Sequence, residues 1–391
     1  RIFYHQIQLS GVAPQICILF GPSPAGAAYV PALSDLTIMI VGHSSAYLAS
    51  PRMVEVVIGE KAGHEELGGA RMHCTVSGLG DFLVATEEEA LALARDLLAY
   101  LAAPGQSARP PAGDGGREPG EAAAPEPPRP EPPRPEPARP ARRPSEIVPP
   151  EPDTPFDMRE LIEAVVDPGS FLEVKKLYAP ELLCGFARLG GRAVGVVASQ
   201  PAVKGGALFV DSADKGARFV WLCNAYGLPL LFLADVPGFM VGSAVERQGI
   251  IRHGAKMLCA VAEATVPKIC VIVRKCYGAG LYAMAGPAMG CDACLAFPGA
   301  QVAVMGPAPA VAAVHHHRLA ALPPEEREAF VREQVEAYVQ DVDIFRLAAD
   351  LVVDAVVDPD ELRDELLRRF RLYTGRPRPP FSRRVNPVYP V

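Results

Sequence analysis

The chain reads as an α/β protein made of two related units, and three observations predict it. Short β-branched runs alternate with amphipathic helical stretches along most of its 391 residues. Hydrophobic residues make up 49% and charged residues 21%, a balance that buries a globular core. A strand, a small-residue turn, a tyrosine and an X-Pro step also occur twice in the same order.

In chain order, strands are expected at Ile16-Cys-Ile-Leu-Phe, Leu36-Thr-Ile-Met-Ile, Val194-Gly-Val-Val-Ala, Leu230-Leu-Phe-Leu-Ala, Ile269-Cys-Val-Ile-Val and Gln301-Val-Ala-Val-Met. These runs are apolar on both faces, as strands covered on both sides of a parallel sheet must be. Helices are expected at 87–100, 249–264, 324–339 and 360–372. The last two open with acidic residues, which suit the positive end of a helix.

Prolines divide the chain. Of 41 in total, 18 lie between Pro104 and Pro155, including the run Pro125-Glu-Pro-Pro-Arg-Pro-Glu-Pro-Pro-Arg-Pro. Such a segment lacks the N–H groups for helix or sheet and is expected to be an extended spacer. The expected organisation is a first unit at 1–101, a spacer at 102–155 and a second unit at 156–391.

The two units match at an offset of 253 residues. Pro14-Gln-Ile-Cys-Ile-Leu-Phe falls on Pro267-Lys-Ile-Cys-Val-Ile-Val, Ala25-Gly26-Ala27 on Gly278-Ala279-Gly280, and Tyr29 on Tyr282. Ser50-Pro51 parallels Gly306-Pro307 after a slip of about three residues. On this match the first unit is expected to lack about 98 residues at its front, with Arg1 inside the helix leading to its first strand. A unit so shortened exposes a sheet edge, so 1–101 is expected to be stable only when docked on another subunit's second unit.

Several function classes are excluded. A net charge of −7 argues against non-specific nucleic-acid binding. No run of 18 apolar residues predicts a membrane span, and the first residues lack the layout of a signal peptide. Nine scattered cysteines fit reduced thiols in a cytoplasm.

The strongest local signals are the turns Ser23-Pro-Ala-Gly-Ala-Ala and Tyr277-Gly-Ala-Gly-Leu, where a strand passes into a helix. Missing side chains let a ligand approach the backbone, and successive N–H groups at a helix start hold an anion. A thioester enolate needs such preorganised donors and no nucleophile. Close helix–strand packing would explain one turn; two at equivalent places favour function.

Around these turns, Asp235-Val-Pro-Gly-Phe-Met-Val-Gly, Gly249-Ile-Ile-Arg-His-Gly-Ala-Lys-Met, Val266-Pro-Lys-Ile and Arg274-Lys-Cys-Tyr-Gly-Ala-Gly-Leu-Tyr-Ala-Met resemble the carboxyltransferase β subunit of biotin-dependent acyl-CoA carboxylases. Ala303-Val-Met-Gly-Pro and Val356-Val-Asp-Pro continue the likeness. Gly21-Pro22, Tyr29-Val-Pro-Ala-Leu, Glu66-Leu-Gly-Gly-Ala and Ser77-Gly resemble the same family's N-terminal domain. The resemblance implies two crotonase-like domains, each a spiral of ββα units, the first incomplete. It implies acyl-CoA on the N domain and carboxybiotin on a neighbouring subunit's C domain, hence sites at dimer interfaces within a homo-oligomer, usually a hexamer. Biotin would arrive on a separate carrier chain with its biotin carboxylase. Carried over by motif, the catalytic amide pairs are Ala25-Gly26 for the thioester oxygen and Ala279-Gly280 for the ureido oxygen. Ala27, Tyr29, Gly278, Leu281 and Tyr282 would line the substrates. The first turn departs from the family's usual two glycines at Ala25-Gly26, and acyl chain length is not read from Tyr282. The competing readings are a biotin-dependent acyl-CoA decarboxylase subunit, whose turns would look the same, and a non-catalytic assembly subunit.

Other signals are discounted. His315-His316-His317 cannot converge on one ion, because consecutive helix residues point about 100° apart. Cys291-Asp-Ala-Cys294 has no second pair and is read as structural. Lys256 lies inside a helical pattern, unlike a biotinylated lysine on a hairpin turn, so the carrier must be another chain. No Gly-Lys-Ser/Thr phosphate loop occurs. Asp235, at a strand end, is read as part of a tight turn.

Overall fold

A computed structural model describes residues 1–101 and 142–374. The expected spacer therefore lies mostly outside the described residues. Its last part, 142–155, packs as part of the second unit: Pro144–Ile147 is a helical turn and Ile147 is buried in the core.

The first unit holds a parallel sheet of β1 (Ile16–Leu19), β3 (Leu36–Ile40) and β5 (Phe82–Val84), with a small parallel pair β2 (Pro22–Pro24) and β4 (Ser45–Tyr47). The second unit is one large sheet. It comprises β6 (Leu172–Val174), β7 (Leu182–Leu189), β8 (Arg192–Ser199), β9 (Leu230–Val236), β10 (Lys268–Tyr277), β11 (Ala293–Ala296), β12 (Gln301–Ala303) and β13 (Ala355–Val356). The path runs β13-β11-β10-β9-β8-β7-β6, and β12 also pairs with β10. From β8 to β13 the pairings are parallel, as predicted; β6–β7 and β7–β8 are antiparallel. The unpredicted β7–β8 hairpin turns on Gly190 and Gly191, both at positive φ (60° and 78°), the conformation that a two-residue hairpin turn requires.

The expected helices form at Glu87–Leu101, Ile250–Glu263, Pro324–Asp341 and Leu362–Tyr373. A further helix, Val210–Ala225, was hidden by the polar residues of its first half. One of these, Lys215, is buried and donates to three backbone carbonyls, those of Lys175, Tyr178 and Ala179. Burial lowers its pKa to about 8.

The duplication is present in three dimensions. β1 and β2 together correspond to β10, and β3, β4 and β5 to β11, β12 and β13, with the same parallel partners. The matched Pro51 and Pro307 each open an eight-residue helix at its first position, where a missing N–H costs nothing. The strand-capping carboxylates also repeat. Asp35 accepts from the Gln15 amide and Asp292 from the Lys268 amide, both at 2.8 Å. Asp81 accepts from Thr37 N and Asp354 from Cys294 N, at 2.7 and 2.6 Å.

The two faces of the large sheet build two cores. One face packs under the helices Met158–Val165 and Leu362–Tyr373. The other packs under Val210–Ala225 and Ile250–Glu263, and this core continues into Leu36, Ile38, Ile40, Leu97 and Tyr100 of the first unit. The first unit thus docks on the second unit of its own chain, where docking on another subunit's second unit was expected. Apolar area explains the difference: the exposed face of its three-stranded sheet is covered by Phe186, Phe219 and Tyr226. Polar contacts fix the docking. Tyr226 donates to Asp35 at 2.5 Å, Arg218 to the Ser34 carbonyl at 2.6 Å, and Lys175 pairs with Asp81 at 2.9 Å, both buried. Tyr100 stacks on Phe186 with ring centroids 5.6 Å apart.

Candidate active site

Both small-residue turns stand where a strand ends. In the second unit, β10 lies between β9 and β12, and its last residue, Tyr277, pairs with Ala303. Gly278 then breaks the strand at φ 54° and ψ −137°, a conformation for glycine, and its amide still donates to the Ala303 carbonyl at 2.9 Å. A Cβ there would come within 2.9 Å of the Val304 carbonyl oxygen. The short helix Ala279–Ala283 follows at once. The amides of Ala279 and Gly280 belong to its first turn and, among the described residues, donate to no acceptor. Ala279 is exposed, whereas Gly280 is buried against Val236 and Gly238.

The first turn is built alike, one residue out of step. Ala25 stands at φ 55°, the counterpart of Gly278, a left-handed position that costs an alanine roughly 1–2 kcal/mol. Prolines at 22 and 24 set the approach, and a 3₁₀ turn spans Ala25–Ala28. Here the amides of Ala25 and Gly26 likewise have no acceptor among the described residues, nor does that of Ala27. Residues 24–27 are exposed, and a Cβ on Gly26 would meet open space. Each turn therefore leaves its first amides unengaged, on exposed backbone in the first turn and at the exposed Ala279 with the buried Gly280 behind it in the second, an arrangement suited to a developing oxyanion.

The expected lining residues separate by exposure. Tyr29 and Tyr282, matched in the repeat, are 49% and 42% exposed, each just past its turn. Ala27 is exposed and Gly278 is partly so. Leu281 instead packs against the core, because its position on a short helix points it inward. Sequence reasoning missed the capping carboxylates Asp35 and Asp292, whose signal was an Asp immediately before each strand.

The discounted signals have ordinary surroundings. His315 sits edge-on to Phe330 (centroids 5.3 Å apart), and among the described residues no group of three His, Cys, Asp or Glu is placed to hold a metal ion. Cys294 lies on β11 beside Cys270 of β10, and burial raises the Cys291 thiol to about 12, which makes it unreactive. Lys256 lies within the helix Ile250–Glu263 and pairs with Asp214 at 2.8 Å. Asp235 is not a turn-former: it is fully buried at the end of β9 and ion-paired with Arg274. Among the described residues no helix is long and apolar enough to cross a membrane.

Comparison with known proteins shows the family and the fold. The family model described as carboxyl transferase domain matches residues 1–387. An uncharacterized carboxylase of Bacillus subtilis (strain 168), YngE, is 54% identical over 391 residues, covering 100% of this chain and 72% of its own length. The propionyl-CoA carboxylase carboxyltransferase subunit of Haloferax mediterranei is 39% identical over 373 residues, 95% of this chain and 68% of that protein. Among solved structures, the transcarboxylase 12S hexamer with methylmalonyl-CoA bound superposes with a TM-score of 0.86 at 35% identity, covering 100% of this chain and 71% of that one. The crotonase-like α/β fold expected from the motifs is the fold of these relatives. The chain belongs to the carboxyl transferase domain family, the family of the carboxyltransferase subunits of biotin-dependent acyl-CoA carboxylases.

Proposed function

We propose that this chain moves a carboxyl group from carboxybiotin, delivered on a separate carrier chain, to the α carbon of a short-chain acyl-CoA such as acetyl- or propionyl-CoA. The observation that carries the reading is the pair of equivalent turns, each opening with amides that have no acceptor among the described residues and with Ala25, Gly26 and Ala279 exposed. The Ala25 and Gly26 amides would hold the thioester oxygen as negative charge develops on it. The Ala279 and Gly280 amides would hold the ureido oxygen of biotin. When bound, carboxybiotin supplies the carboxyl group and a ureido nitrogen to accept the substrate's α proton. The chain itself orients the partners and stabilises charge, so no side-chain base is required. The exposed faces of Tyr29 and Tyr282 would flank the approach of each ligand to its turn.

The helix Pro51–Ile58 exposes Met53, Val56, Val57 and Ile58, and the helix Ile2–Leu9 exposes Ile2, Phe3 and Ile7. Such apolar surface supports a homo-oligomer in which two chains complete each site, as the hexameric relative would suggest.

The test combines the protein with a biotin carboxylase and biotinylated carrier and follows fixation of labelled bicarbonate into acetyl-, propionyl- and longer acyl-CoA. ATP-dependent labelling of a short-chain acyl-CoA is the expected result. Activity only in the decarboxylating direction would favour the decarboxylase reading, and none in either direction the assembly subunit. Avidin blotting of the purified chain is expected to be blank, since Lys256 is held within a helix by Asp214; a biotinylated Lys256 in the peptide map would contradict a separate carrier.

A further inference from the structure

β10 is irregular just before its turn. Ile272 pairs with Ala234 and Cys276 with Val236, so four steps along β10 face two along β9. A bulge of this kind bends a strand and re-aims the residues that follow. Those residues are Tyr277, then Gly278, Ala279 and Gly280.

The bulge carries Arg274 and Lys275, both buried, and both meet the buried carboxylate of Asp235. One oxygen, Oδ2, accepts from Arg274 Nε at 2.9 Å and Nη2 at 2.7 Å. The other, Oδ1, accepts no hydrogen bond among the described residues and has Lys275 Nζ at 4.0 Å. The same two cations hold the segment before Phe156. Arg274 Nη1 donates to the carbonyls of Glu151 and Thr154, each at 2.7 Å, and Lys275 Nζ to that of Pro152 at 2.6 Å. The Arg274 guanidinium also lies over the Phe156 ring, 4.7 Å from its centroid.

Asp235 is therefore the hub where the end of β9, the β10 bulge and the strap 151–156 meet. Its neighbour Val236 forms the floor of the turn: a Cβ on Gly280 would approach Val236 Cγ1 to 3.0 Å. A shift of the β9 end is thus passed directly to the Gly280 backbone. A buried carboxylate and two buried cations are costly and add little net stability over apolar packing, so a role in fixing geometry accounts for them better than one in stability.

We propose that Asp235 is a positioning residue which, through the Arg274–Lys275 bulge and Val236, sets the direction of the Ala279 and Gly280 amides. This rests on the reading that these amides receive the ureido oxygen of biotin. The experiment uses the full chain in its oligomeric state, with free biotin as carboxyl acceptor and methylmalonyl-CoA as donor. Asp235→Asn is expected to raise the KM for biotin at least tenfold while the KM for the acyl-CoA stays within twofold. Arg274→Lys, which keeps the charge but loses the two-pronged grip, is expected to change the biotin KM in the same direction and decides the matter if Asp235→Asn does not fold. Ala279→Val serves as the reference. If it impairs biotin use while folded Asp235→Asn and Arg274→Lys do not, the positioning role is wrong. If Ala279→Val leaves biotin use intact, the biotin reading of the turn fails, and this proposal with it.

Discussion

Ala279→Val is expected to lower carboxyl transfer by about 10²–10³-fold, as much as losing one oxyanion donor, because its bulk keeps the ligand oxygen from reaching the amides, without unfolding the protein. Ala279 is exposed and follows Gly278 at the mouth of the turn, so the added methyl groups meet ligand space rather than core. A β-branched side chain is stiff at χ1 and cannot swing clear of an incoming ring. The same change at Gly280 is a poorer experiment, because any Cβ there already comes within 3.2 Å of Gly238 Cα and crowds Val236. The measurement is kcat in the assembled enzyme beside a thermal melt. Activity within twofold of the parent, with an unchanged melt, would remove the turn from the mechanism.

The second large effect is on stability. Lys175→Met is expected to destabilise the fold by about 3–5 kcal/mol, the usual cost of leaving a buried charge without its partner. Lys175 and Asp81 are 6% and 3% exposed, and they join the second unit to the first. Asp81 also caps Thr37 N, so an uncompensated charge would loosen the start of β3 as well. Adding Asp81→Asn should restore part of the loss, because the amide oxygen can still accept from Thr37 while the charge is gone. Denaturant midpoints of the two single variants and the double variant give the coupling. A Lys175→Met cost below about 1 kcal/mol would show that the pair is solvated and that apolar packing alone holds the units together.

Much of this architecture was legible because its signals are local. The buried strands at Leu36 and Leu230 are continuous apolar runs, and all residues of β3 and β9 are buried on both faces. The repeat was legible for the same reason: a Gly-Ala turn after a strand, and a proline at the first position of a helix, are dictated by the backbone itself. The turns themselves were local signals; the assignment of the amide pairs within them came from the family resemblance and stands as part of the proposed function. The β7–β8 hairpin is also written locally, in Gly190-Gly191 between two apolar runs.

What the sequence could not decide depends on contacts between distant segments. Nothing near Asp235 indicates that its carboxylate meets Arg274, 39 residues on, or that the same guanidinium holds carbonyls 123 and 120 residues back. The docking of the first unit on its own chain was equally invisible. It follows from matching two apolar faces, one built by Ile38, Ile40 and Tyr100 and the other by Phe186, Phe219 and Tyr226. Local pattern specifies which face of an element is apolar; only the packed structure decides which other face covers it, since burial is proportional to area and carries no direction along the chain.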